Sequence, residues 1–220
     1  MKSITYLLLI VTGLFFSAPA FTQKEKDPKA KELLDQTSVV LNQSGGMSAS
    51  FTVNVNDITN KIKQSFEGQI FMKGAKFFLS TPDQEVYFDG KTQWTYDKNI
   101  QEVSILEPKP QDIQTLNPVS VFDLYKTNCN YKYKGEKTDS QKGKVQEISL
   151  FPTNLKEDIK QIDIQISSTD WMPVFFLMIY NDKSEYRIYI NKYQTKLNLP
   201  DSQFVFDTKK YPNADINDLR

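Results

Sequence analysis

The chain has 220 residues, in which 27 basic side chains balance 27 acidic ones, with no histidine and one cysteine, Cys129. Balanced, interspersed charge argues against nucleic acid or an anionic membrane surface as the main partner. The missing histidines remove the commonest general base and metal ligand, and a lone cysteine excludes an internal disulfide.

The first residues read as a leader rather than as part of the fold. Lys2 precedes an apolar stretch over 6–16, and Ala18-Pro19-Ala20 offers a small-x-small cleavage site, leaving Phe21 as the new N-terminus. Residues 1–20 are therefore read as a signal peptide and 21–220 as one exported domain. The apolar run is too short for a comfortable membrane span, and with Phe21 rather than a cysteine directly after the cleavage site a lipid anchor is not expected. A domain of this size buries its own core without a disulfide.

Asp27-Pro28 reads as a helix cap followed by proline at the first helical position. Ala30, Leu33, Leu34, Thr37, Val40 and Leu41 then form an apolar stripe at helical spacing, and Gly45-Gly46 ends it. From Ser50 the period changes to two, with Phe51, Val53 and Val55 on one face. Strands follow over 62–72, 76–81 and 102–106, with a hairpin over 85–97 turning at Asp89-Gly90. Val86 and Phe88 on its first arm, with Trp94 and Tyr96 on its second, are expected to make one apolar face.

Residues 108–127 interrupt the series. Prolines at 108, 110 and 118 break any strand, and 119–125 suit a short helix capped by Asn117. Strands resume over 130–134, 145–151, 161–167, 173–180, 185–192 and 203–206. Alternation is strict where Ile162, Ile164 and Ile166, or Tyr186, Ile188 and Ile190, occupy every second place. About eleven strands with one long and one short helix predict a mainly β domain. A single antiparallel sheet of that size curls into an unclosed barrel, with helices over its mouth.

Chemistry is scarce. There is no glycine-rich phosphate loop, no Gly-x-Ser-x-Gly elbow and no paired-cysteine motif. Acidic pairs such as Asp83 with Glu85, or Glu157 with Asp158, are what chance gives a chain with 27 acids. Cys129, between Asn128 and Asn130, has no histidine to activate it and reads as structural. No catalytic residue, metal site or cofactor is expected. The alternating apolar faces suit either a packed interior or a ligand cavity, and pattern alone does not separate the two.

A resemblance separates them. The segment V-Y-F-D-G-K-T-Q-W-T-Y-D at 86–97 resembles the V-x-D-G-K-x-x-W-x-Y-(D/N) hairpin of the periplasmic lipoprotein carrier family LolA. S-A-S-F-T-V at 48–53, F-E-G-Q-I-F-M-K at 66–73, Asn117-Pro118, L-F-P-T-N at 150–154 and F-V-F-D at 204–207 resemble further segments in the same order. The resemblance implies an unclosed antiparallel barrel with a helical lid over an apolar cavity. It implies a non-enzymatic, monomeric periplasmic carrier of acylated lipoproteins. Its partners would be an inner-membrane ABC-type release complex and an outer-membrane acceptor where one exists.

Under that resemblance the cavity is assigned to Phe51, Val53, Val55, Phe78, Val86, Phe88, Trp94 and Tyr96. Phe78 stands where the family has an aromatic at the cavity entrance. Leu33, Leu34, Val121 and Phe122 are assigned to the lid's underside. The family's lid-holding arginine and the proline after it align with Gly74 and Ala75, so a lid here needs another fastening. Two other readings stay open: a regulator that senses envelope lipids or lipoproteins on the same scaffold, and a hydrolase of envelope lipids.

Overall fold

The computed structural model describes residues 26–108, 125–126, 129–153 and 159–220. The proposed signal peptide and most of the predicted short helix, Val121 and Phe122 included, lie outside them. Helix α1 (Pro28–Gln43) begins where Asp27 accepts the Lys29 and Ala30 N–H groups at 2.8 and 3.2 Å, with Pro28 supplying no competing donor. The expected stripe is its buried face: Ala30, Leu33, Leu34, Thr37 and Leu41.

Twelve strands follow: β1 (Gly46–Asp57), β2 (Ile62–Lys73), β3 (Lys76–Ser80), β4 (Gln84–Phe88), β5 (Gln93–Asp97), β6 (Glu102–Leu106), β7 (Cys129–Asp139), β8 (Gly143–Pro152), β9 (Ile159–Ser167), β10 (Pro173–Tyr180), β11 (Glu185–Leu197) and β12 (Asp215–Asp218). They form one sheet in the order β12-β6-β5-β4-β3-β2-β1-β11-β10-β9-β8-β7. Every pairing is antiparallel except β12 with β6. The end strands, β12 and β7, do not pair, so the barrel stays open.

Helix α1 is tied across half of this sheet. At its start, the Asp27 N–H donates to Tyr131 O at 3.2 Å and the Tyr133 N–H donates to Asp27 Oδ2 at 3.1 Å, both on β7. At its end the chain enters β1 directly, and the Lys196 N–H of β11 donates to Ser44 O at 2.9 Å. Sixteen helical residues reach about 24 Å at ~1.5 Å each. Five strand-to-strand steps from β7 to β1 span about 24 Å at ~4.8 Å each. The helix is long enough to bridge those six strands.

The interior lies between α1 and the sheet, where Leu33, Leu34, Ile148, Leu150, Ile162, Ile164 and Ile166 are at most 1% exposed. Tyr125 is buried there too, and its hydroxyl donates to Asp35 Oδ1 of α1 at 2.6 Å. A second, smaller apolar cluster of Tyr87, Tyr96, Val103 and Phe206 sits on the opposite face of β4–β6.

That second cluster exists because the C-terminal segment crosses the sheet's outer face. The strand expected over 203–206 is instead a 3-10 turn, Asp201–Phe204. Pro200 O accepts the Gln203 N–H at 3.1 Å, and the Lys73 and Lys76 ammonium groups converge on the Asp201 carboxylate at 3.0 and 2.8 Å. Two phenylalanines spaced like a strand are thus held on a turn anchored to β2 and β3. The chain then adds β12, whose four exposed residues show no apolar alternation.

Burial alone would raise the Asp27 carboxyl, but N–H donors from Tyr133, Ala30 and Lys29 hold it below its ordinary 3.8. Its contribution is therefore complete above that value and lost as pH falls through the lowered one. Asp27→Ala is expected to cost about 1–2 kcal/mol in urea unfolding at pH 7. The gap from the native protein should narrow once the pH is taken below 3.8; a gap independent of pH would mean that the carboxylate's charge is not what holds the helix start.

Candidate ligand-binding face

Register decides which side chains share a face, because directly opposed partners point the same way. On β1, Phe51, Val53 and Val55 are 4–6% exposed and point to the concave side, beneath which the main cluster lies. Val53 is flanked by Phe66 of β2 and Ile188 of β11, and Val55 by Gln64 and Tyr186. Phe51 is opposed by Gly68, where an added Cβ would fall 2.4 Å from the Phe51 ring. The glycine leaves room for that ring to lie across β2.

Val86 and Phe88 of β4 also face the concave side, through Leu79 and Phe77 of β3. Trp94 and Tyr96 do not join them. Val86 opposes Thr95 and Phe88 opposes Gln93, whereas Trp94 opposes Tyr87 and Tyr96 opposes Glu85. The expected single apolar face of this hairpin is corrected by parity. A loop of even length pairs even-numbered positions with odd-numbered ones, so 86 and 88 never share a face with 94 and 96. The loop has four residues, closed by Asp89, whose side chain accepts the Lys91 and Thr92 N–H groups at 2.8 Å each.

Phe78 falls on the outer face as well, opposite Tyr87 with ring centroids 4.6 Å apart. The eight residues assigned to one cavity are thus divided. Phe51, Val53, Val55, Val86 and Phe88 share the concave side; Phe78, Trp94 and Tyr96 lie under the C-terminal strap with Phe206 and Tyr211. Tyr96 and Phe206 each stack within 4.8 Å of Tyr211 or nearer. Leu33 and Leu34 do lie on the underside of α1.

Around the concave core runs a fringe of half-buried apolar side chains, among them Phe66, Leu79, Met178, Tyr180, Tyr186 and Ile188. Tyr186 and Ile188 stood in the strict alternation of their strand. Phe66 and Met178 are identified as neighbours only by pairing with β1 and β11. At one end of this fringe a cleft of about 640 Å³ opens between the β1–β2 and β10–β11 turns. Tyr180 and Tyr186, with centroids 5.3 Å apart, line it beside Asp57 and Asp182. The two turns are joined there, since Ser184 Oγ accepts the Ile58 N–H at 2.8 Å and Asp182 accepts the Thr59 hydroxyl.

Gly74 and Ala75 form the exposed β2–β3 turn, with Gly74 at φ +60, a backbone conformation in which arginine is strained. Arg187 opposes Asn54 on the outer side and pairs with Glu185 at 2.5 Å. Cys129 is buried, which pushes its thiol up to about 12 and keeps it protonated at neutral pH. Among the described residues no group of three or more Cys, Asp or Glu side chains is placed to hold a metal. No helix among them is long and apolar enough to cross a membrane.

A family model described as outer membrane lipoprotein carrier protein LolA matches residues 19–181. The outer-membrane lipoprotein carrier protein of Histophilus somni is 28% identical over 180 residues, covering 77% of this chain and 80% of that protein. A protein of Methanocaldococcus jannaschii is 25% identical over 79% of this chain, which spans half of that relative's length. Among solved structures, a conserved protein from Thermus thermophilus aligns with a TM-score of 0.59 at 13% identity, over 86% of this chain and 99% of that one; this likeness is one of fold.

A carboxylate, Glu85, ties the strap to the sheet through the Tyr211 hydroxyl. Burial alone would raise the Glu85 carboxyl, but the hydroxyls of Tyr211 and Tyr87 and the Lys98 ammonium hold it below its ordinary 4.5. The carboxylate's hold on the strap is therefore full above that value and fades as pH falls through the lowered one. Limited proteolysis of the native protein should cut 207–220 faster as pH drops below 4.5. Glu85→Gln should be cut faster already at pH 7; protection equal to that of the native protein would show that the aromatic stack alone holds the strap.

Proposed function

The chain belongs to the LolA family of outer membrane lipoprotein carrier proteins, and from that premise we propose that it shelters the acyl chains of lipoproteins on its concave face and carries them from the inner to the outer membrane. In this reading residues 1–20 direct export and are removed, and the carrier works in the periplasm as a monomer. An inner-membrane ABC-type complex loads it, and an outer-membrane acceptor, where one exists, unloads it.

The observation that supports the reading is the apolar concave face: Phe51, Val53, Val55, Val86 and Phe88 are buried on it, with the half-buried Phe66, Ile188, Tyr186 and Met178 at its margin. Each methylene withdrawn from water gains about 0.8 kcal/mol, so a chain of ~15 gains roughly 12. No acylated protein crosses an aqueous gap unaided against that, and a trough of this composition supplies the missing solvent. Phe78, Trp94 and Tyr96 support the strap and take no part in binding under this proposal.

Native mass spectrometry of protein isolated without detergent is expected to find acylated species bound. Met178→Glu places a charge at the half-buried margin without emptying the core, and should keep the thermal transition within a few degrees while lowering retained acylated species at least ten-fold. Retention at the native level by this variant would remove the concave margin from the site. A regulator that senses lipoproteins on the same scaffold would instead retain a protein partner through purification.

A further inference from the structure

The concave face changes character at one end. From β1 to β4 its buried side chains are apolar, as Phe51, Met72, Phe77 and Phe88 show. On β5 the same face carries Gln93 and Thr95, which oppose Phe88 and Val86, and on β6 it carries Ser104 opposite Thr95 and Leu106 opposite Gln93. A trough of hydrocarbon thus ends in a strip of hydrogen-bonding groups on two adjacent strands.

Gln93 is the member of that strip that the fold leaves incomplete. It is 4% exposed; its Nε2 donates to Thr95 Oγ1 at 3.2 Å, and its Oε1 has no hydrogen-bond partner. Only one other buried side-chain atom among the described residues is in that condition, Thr37 Oγ1, on the interior stripe of α1. Gln93 differs in having further polar side chains beside it on its own face. An amide oxygen held away from water without a donor destabilises the unliganded protein. A leucine, opposed as Gln93 is by Phe88 and Leu106, would remove that cost.

We propose that Gln93, with Thr95 and Ser104, is a specificity-determining subsite for the polar linkage of the bound lipid. In it, Gln93 Oε1 accepts an N–H from the amide-bearing head of an acylated peptide whose hydrocarbon lies along β1–β4. The inference rests on the carrier reading and names what that site selects: acyl chains on an amide-bearing head over bare hydrocarbon. The oxygen can only accept, so the ligand must bring a donor. An acylated N-terminal cysteine brings one in its own amide, and an alkane brings none. Selectivity built this way comes from the group left unpaired when the wrong ligand binds.

Two probes separate the subsite from the trough. One is a synthetic peptide beginning with tripalmitoyl-cysteine; the other is pyrenyldodecane, a fluorescent hydrocarbon with no hydrogen-bonding group. Each is titrated against the native protein and Gln93→Leu, with thermal unfolding of the unliganded proteins measured alongside. Gln93→Leu is expected to bind the lipopeptide about ten-fold more weakly, to bind pyrenyldodecane within two-fold of native, and to melt no lower than native. Thr95→Val, at the strip's second position, should lose lipopeptide affinity by a smaller factor in the same selective way. Lipopeptide affinity within two-fold of native in Gln93→Leu, or an equal loss for both probes with a lowered melting temperature, would overturn the subsite while leaving the carrier reading in place. Binding of neither probe by the native protein would bring down the carrier reading, and the subsite with it.

Discussion

The constraint on which the architecture depends is the double attachment of α1. A twelve-stranded sheet is free to flatten or to curl, and its end strands have no partner in one another. Fixing one helix end to β7 through Asp27 and the other to β1 and β11 through Ser44 sets a chord across six strands. With the chord fixed, the sheet must bow around the buried stripe of the helix, and a concave face follows. The Asp27 carboxylate works at both levels, since one oxygen caps the helix while the other accepts from the Tyr133 N–H of the edge strand.

The C-terminal strap solves a different problem. Strands β3 to β6 are short, and aromatic residues stand on both of their faces: Phe77 and Phe88 inward, Phe78, Tyr87 and Tyr96 outward. A sheet apolar on both sides needs two covers. The strap is the outer one, packing Phe206 edge-on against Tyr87 and Tyr211 against Tyr96, and enclosing a hydrogen-bonded carboxylate, Glu85, within the contact. It also runs on as β12, which covers the free edge of β6.

Much of this was legible in the sequence where burial is one-sided. Ile162, Ile164 and Ile166, or Phe51, Val53 and Val55, alternate because one face meets the core and the other meets water, and both sets lie inside as the period requires. The same logic misled at the 85–97 hairpin. With apolar residues on both faces, alternation no longer says which set points inward, and only the pairing parity does. The 3-10 turn at Asp201–Phe204 was hidden for another reason, since it is anchored by lysine contacts to Asp201 that no local pattern announces. β12 was invisible because its four residues are exposed and follow no apolar alternation; it is held to β6 by backbone pairing and by Asn217 Nδ2 donating to Glu102. Gln93 drew no notice because a glutamine beside a tryptophan looks like a solvent-facing residue until register puts it opposite Phe88.

The position aligned with the family's lid-holding arginine raises a question of fastening, which the neighbourhood of Tyr125 answers in part. Gly74 sits in a two-residue turn with a positive φ, a backbone conformation that disfavours any longer side chain, so the departure belongs to a local geometry and is not a simple exchange of one side chain. A fastening between α1 and the stretch before β7 exists elsewhere: the Tyr125 hydroxyl meets Asp35, which also takes the Lys31 ammonium at 2.6 Å. Burial alone would raise the Asp35 carboxyl, but the Lys31 and Tyr125 hydrogen bonds hold it below its ordinary value, so it stays ionised at neutral pH. A hydroxyl-to-carboxylate bond is stronger than a neutral pair and weaker than a bidentate arginine clamp.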